Sequence, residues 1–115
     1  MAVIPYVLVP NSDRASMVVK WEAVTEADTC AAVALPAWSD RSVQVNGTFG
    51  GATVIIQGSN DGTNYVTLNN PADAALSFAA AGLEAVLELT ATLKPSISGG
   101  TGQSINIYLH MRGDR

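Results

Sequence analysis

Catalysis needs an imidazole, an activated nucleophile, a pair of carboxylates or a metal cage, and this 115-residue chain carries one histidine and one cysteine. His110 has no charged neighbour and no Gly-flanked serine near it in sequence, so the signature of a nucleophilic hydrolase is missing. A polar surface or interface residue is the simpler reading. Cys30 lies among alanine and valine with no basic neighbour to lower its pKa, which fits a small buried hydrophobe. A single cysteine makes neither an internal disulfide nor a thiolate cage, and it suits assembly in a reducing compartment. The run Asn60-Asp61-Gly62-Thr63-Asn64 offers oxygen ligands of the kind calcium takes, yet it fails the EF-hand spacing and lacks the closing glutamate. A tight polar turn is the expectation there. Glu84 and Glu88 would stack on a helix, but on a strand they are separate surface charges. No catalytic residue, cofactor or metal is therefore assigned, and the chain is read as a non-enzyme.

Two binding motifs compete with simpler readings. Trp21, Trp38 and Tyr65 have the side chains of a sugar-stacking platform, as in carbohydrate-binding modules, although single aromatics in a small β domain usually anchor the core. Arg112-Gly113-Asp114 matches the integrin-binding tripeptide. Three residues recur by chance, and a solvated tail accounts for them.

The elements that must position these residues are strands, because apolar residues alternate at period two nearly everywhere. From Gln103 to Met111, Ile105, Ile107, Leu109 and Met111 face one way while Ser104, Asn106, Tyr108 and His110 face the other. Arg41 to Phe49 behaves likewise, with Val43, Val45 and Phe49 on one face and Ser42, Gln44, Asn46 and Thr48 opposite, and stops at the turn signal Gly50-Gly51. Ala52 to Gln57 is a β-branched run suited to a strand covered on both faces. It leads through the Gly58–Asn64 turn residues into Tyr65 to Leu68, which reads as a β-hairpin with a polar tip. In Ala15 to Val24, Met17, Val19, Trp21 and Ala23 share one face, and Val18, Lys20, Glu22 and Val24 the other. Asp28 to Leu35 is ambiguous between strand and short helix. Residues 71–88 allow at most one helical turn. The alternation of Leu87, Leu89, Ala91 and Leu93 against Glu88, Thr90, Thr92 and Lys94 predicts a strand ending at Pro95.

Val3 to Val9 is β-rich but interrupted by Pro5 and stopped by Pro10, which places it on a sheet edge or in an extended arm. The expected organisation is an N-terminal arm or edge strand over residues 1–14 and a single β domain over 15–115. Its fold class is all-β: a two-sheet antiparallel sandwich or jelly roll of about eight short strands.

Composition narrows the function classes. Charged residues make up only 14% of the chain, hydrophobic residues 48%, and the net charge is −4. With six basic against ten acidic residues and no Lys or Arg cluster, the phosphate attraction behind nucleic-acid binding has no footprint. The apolar run from Ala2 to Val9 is far short of the roughly 20 residues that span a bilayer, and no signal-peptide pattern surrounds it. Neither nucleic acid nor membrane is expected as a partner.

Trp38-Ser39-Asp40-Arg41-Ser42-Val43-Gln44-Val45-Asn46-Gly47-Thr48-Phe49-Gly50-Gly51-Ala52-Thr53-Val54, continuing into Gln57-Gly58-Ser59-Asn60-Asp61-Gly62, resembles small virion structural proteins of tailed bacteriophages. Leu76-Ser77-Phe78, Lys94-Pro95-Ser96 and Gly99-Gly100 extend the likeness, which covers roughly residues 38–111. The resemblance implies a capsid decoration, or cement, protein with a β-sandwich or jelly-roll fold. Such a protein acts on the virion surface, is assembled in the bacterial cytoplasm and has the major capsid protein as its partner. It carries no catalytic residues to transfer. A head–tail, tail or fibre component, or a carbohydrate-binding module on the virion, is the alternative. Low charge suits the interface reading, since few ions need desolvating. Ile4, Tyr6 and Leu8 in the arm, and Asn60, Asp61 and Asn64 at the hairpin tip, are the expected partner contacts, with a homodimer or homotrimer as the assembly.

Overall fold

A computed structural model describes residues 3–8, 16–34 and 38–113, with Trp38, Ser39 and Gly113 described by their backbone alone. These residues form eleven strands and no helix: β1 (Val3–Ile4), β2 (Val7–Leu8), β3 (Ser16–Val24), β4 (Thr29–Cys30), β5 (Trp38–Thr48), β6 (Thr53–Ser59), β7 (Val66–Thr67), β8 (Ser77–Phe78), β9 (Gly82–Ala85), β10 (Thr92–Ser98) and β11 (Ser104–Gly113). The excess over the expected number comes from two-residue strands that flank the long ones.

One sheet is antiparallel in the order β2-β3-β11-β5-β9. The other is built on β6, with β10 along its whole length on one side and β7 and β8 sharing the opposite side. A short parallel pair, β1 with β4, completes the set. Alternation puts Ile105, Ile107, Leu109 and Met111 of β11 in the core with Val43 and Val45 of β5. Val54 and Ile56 of β6 and Leu93 and Ile97 of β10 join the same apolar cluster. The fold is an antiparallel β-sandwich, held chiefly by this burial at about 1.5–3 kcal/mol per large side chain.

Three departures from the sequence-based expectation have physical causes. In β3 the facing reverses at its end. Ile107 pairs with Trp21 but Ile105 pairs with Val24, so one extra residue is inserted, and Ala23 takes φ of 55°. This bulge turns Ala23 outward and Val24 into the core. Its amide N–H is not lost, because it donates to Asn106 Oδ1 at 3.0 Å.

The expected strand over 87–94 is shifted, and its faces are reversed at Leu87, Glu88 and Leu89 but kept at Leu93, which is buried in the core. Pro95 does not end it but lies inside β10, opposite Ile56. Leu93, two residues earlier, exchanges both backbone hydrogen bonds with Val33 on the side away from β6. The Pro95 nitrogen points the same way, where the β6 ladder requires no donor. Upstream, Glu88 turns inward while Leu87 and Leu89 are exposed.

The optional helical turn is absent as well. Asn70 Oδ1 accepts the amide N–H groups of Ala72 and Ala74, each at 3.0 Å, which commits donors that a helix would need. Residues 28–34 contribute only β4 and the Val33 bridge to Leu93. The predicted hairpin forms, with Gln57 opposite Thr67 and Gly58 opposite Val66.

Candidate interaction surface

The residues with potential for chemistry are engaged in structural roles or lack the needed links. Cys30 is buried, and desolvation, reinforced by the charge of Asp28, pushes its thiol up to about 12. His110 lies opposite Ser42 across β11 and β5 and shares a cleft of about 210 Å³ with Asp40, Arg41 and Ser42. These are the residue types of a nucleophilic triad, yet no hydrogen bond joins His110 to either partner among the described residues. The Asp40 carboxylate instead accepts from Arg112 at 2.5 Å. That ion pair also uses the arginine of the Arg-Gly-Asp tripeptide, whose Asp114 lies outside the described residues. No group of three or more metal-ligating side chains occurs among the described residues, and no helix there is long and apolar enough to cross a membrane.

The stacking platform does not assemble from the aromatics that can be placed. Trp21 is fully buried, and its indole N–H donates to Ala31 O at 2.8 Å. The Lys94 ammonium sits 4.4 Å from the Tyr65 ring centroid, covering that face. The Trp38 side chain lies outside the described residues.

The hairpin tip is locked by its own aspartate. Asp61 Oδ1 accepts from the Thr63 and Asn64 amides at 2.8 Å each and from Ser59 Oγ at 2.8 Å, and Oδ2 accepts from Asn64 Nδ2 at 2.9 Å. These bonds hold the Asp61 carboxyl well below the usual carboxylate range. Four hydrogen bonds to this one carboxylate shape the turn and constrain the expected exposed loop, while Oδ2 keeps a lone pair open. Asn60 is tied across to the 88–91 strip, its Oδ1 accepting the Ala91 N–H at 2.8 Å.

The N-terminal segment folds back on the chain's own body. Val7 and Leu8 pair with Lys20 and Val19 as an edge of the larger sheet. Ile4 is half-buried against the core, and the Tyr6 ring meets Trp21 edge-on at 6.4 Å between centroids. Val3, Tyr6, Val7 and Leu8 keep exposed apolar surface.

Sequence reasoning missed the second apolar feature. From β9 towards β10 three leucines point outward: Leu83, within β9, is 66% exposed, Leu87 51% and Leu89 49%. Between the last two, Glu88 is half-buried, whereas Glu84 stays exposed. Glu88 accepts from the Asn69 amide N–H at 2.7 Å and from Asn69 Nδ2 at 2.9 Å, and Glu84 accepts from Asn70 Nδ2 at 3.0 Å. Alternation was visible in the sequence, but the capture of Glu88 by Asn69, 19 residues away, decides which phase faces solvent.

No protein-family model matches this chain, and no curated protein matches it. Among solved structures, the sandwich is similar to the SPBc2 prophage-derived protein YomS, with TM-score 0.59 and 8% identity over 84% of this chain and 94% of that one. A Schizosaccharomyces pombe Cnp3 cupin domain overlaps more loosely, with TM-score 0.42 and 11% identity over 95% of this chain and 60% of that one. At such identities, what the chain shares with YomS is the fold.

Proposed function

We propose that this chain is a bacteriophage virion protein of the capsid decoration type. On this reading it binds the outer surface of the major capsid protein shell and bridges neighbouring capsomers, by contact rather than by chemistry. The observation that carries the reading is the outward leucine strip, Leu83, Leu87 and Leu89, on a body with few charges. Apolar side chains aligned on an extended edge strip are costly to leave in water and cheap to desolvate against a partner. The apolar edge at Tyr6, Val7 and Leu8 is a second attachment point. There the outer side of β2 offers main-chain groups for strand addition. The tip at Asn60, Asp61 and Asn64 offers a polar contact. The phage-protein resemblance of residues 38–111 supports the same reading, as does the fold shared with a prophage-derived protein.

Repetition over a shell multiplies a modest contact, since every copy that spans two subunits raises the cost of parting them. A symmetric dimer or trimer at local symmetry axes is the assembly this requires. The experiment is addition of purified protein to expanded capsids lacking it. Binding that raises the temperature of capsid disruption, and that a Leu83→Ser, Leu87→Ser, Leu89→Ser variant loses while remaining folded, is the expected result. Capsids that neither bind the protein nor gain heat resistance would refute the proposal.

A further inference from the structure

We propose that the cleft beside the β6–β7 hairpin takes up a basic side chain, an alkylguanidinium or alkylammonium group, from a protein partner. The cleft has a volume of about 310 Å³, at the lower end of the roughly 300–1,000 Å³ typical of small-group pockets. Its only charged lining residue is Glu88, and no Lys, Arg or His shares the lining. Among the described residues the ion pairs are Lys20 with Glu22 and Arg112 with Asp40, so Glu88 has no cation of its own.

The Glu88 carboxylate is preorganised to act as an acceptor. Each of its oxygens takes one hydrogen bond from Asn69, which fixes the group and leaves further lone pairs open. The same bonds hold its pKa below the ordinary glutamate value, so it stays ionised at neutral pH. Two neutral acceptors flank it. Asn64 spends its Nδ2 on Asp61, and Asn69 spends its Nδ2 on Glu88, so both side-chain carbonyl oxygens remain available to accept. The exposed Val66 on the same wall offers apolar surface for a methylene stem. Gly58 allows the wall to close, since a Cβ there would sit 2.4 Å from Thr90 Oγ1.

One fixed negative charge, neutral oxygen acceptors and an apolar wall suit a cation on an alkyl stem better than an anion or an uncharged ligand. The chain's net charge of −4 favours the same partner at long range. Assigning the stem to a capsid subunit rests on the decoration reading above. The preference for a cation does not.

The test is titration of the isolated protein, followed by amide chemical shifts, with N-acetyl N-methylamides of arginine and lysine as probes and those of citrulline and norleucine as neutral controls. Saturable shifts at Asn64, Val66, Asn69 and Thr90 with at least one cationic probe, absent with the neutral ones and reduced by added salt, are expected. Comparing arginine with lysine identifies which cation the cleft prefers. Glu88→Gln, which keeps an acceptor for the Asn69 amide, should weaken binding roughly tenfold or more. Thr67→Lys, which places an ammonium from the chain's own β7 at the cleft, should abolish it. Equal binding of neutral and cationic probes, no saturable response, or full affinity in a folded Glu88→Gln protein would overturn the proposal, whatever the capsid experiment shows.

Discussion

Cys30 shows how burial sets reactivity. A thiol held at about 12 stays protonated, so native protein should react with a disulfide reagent only at the rate at which it opens, and completely in denaturant. Rapid native labelling would show that the site is not closed. The raised value also has a sign for stability. The unfolded thiol ionises near the ordinary value of 9.0, before the folded one, so stability is fully present below about pH 9 and falls as pH rises towards 12. Denaturant midpoints at pH about 8 and about 10 should differ more for the native sequence than for Cys30→Ala. Asp61 and Glu88 have the opposite sign, because their folded pKa values are depressed. Their stabilisation is present above the ordinary carboxylate pKa and is lost as pH falls through the folded values. Asp61→Ala should therefore unlock the hairpin tip, seen as faster amide exchange at Thr63 and Asn64 with the β11 amides unaffected. Sequence made Asp61 legible as a turn residue, because its bonds are local. Glu88 was not legible, since its partner Asn69 is brought beside it only by the fold.

At the scale of elements, strands were legible wherever one face is core and the other solvent. β11 matches its alternation residue by residue, β5 does so from Arg41 to Asn46 before Gly47 breaks it, and the hairpin of β6 and β7 follows from its turn residues. β3 departs at one residue, Ala23, whose φ of 55° costs an alanine about 1–2 kcal/mol. Ala23→Gly should relieve that strain and raise stability by up to about 1 kcal/mol, after its larger unfolded-state entropy is subtracted. Ala23→Val should lower stability by about 1 kcal/mol or more. Chemical denaturation of both variants checks the bulge, which predicts this order of stability where a regular strand predicts the reverse. Gly47 tests the neighbouring ladder. With φ at 117° and a virtual Cβ 2.3 Å from the Ser104 carbonyl oxygen, Gly47→Ala cannot fit without moving β5 from β11. A loss on the order of 3 kcal/mol or more is expected, read from the denaturant midpoint. β10 was misplaced because proline was read as a terminator. On an edge strand, with its nitrogen turned outward, proline is only a gap in a ladder that nobody completes.

At the scale of the whole molecule, two sheets close over one apolar cluster while apolar side chains remain outside at two edges. The strip at Leu83, Leu87 and Leu89 and the edge at Tyr6, Val7 and Leu8 should behave as interfaces. Replacing the three leucines with serine should leave thermal unfolding of the free protein within about 1 kcal/mol of the native value, as expected for exposed positions. Association, measured by sedimentation or by capsid binding, should fall. A large loss of stability instead would mean that the leucines support the chain's own core.

Period-two alternation and turn-forming residues by themselves determined that this chain is all-β, a sandwich or jelly roll, because those signals act over neighbouring residues and depend on which face meets water. The tertiary structure alone decided which phase of residues 83–90 faces outward, where β3 bulges, and that Glu88 enters a cleft with Asn64 and Asn69. Each of those outcomes depends on partners far away in sequence. Whether a side chain turns in or out is settled there by a hydrogen bond or a register that exists only once the sheets have met.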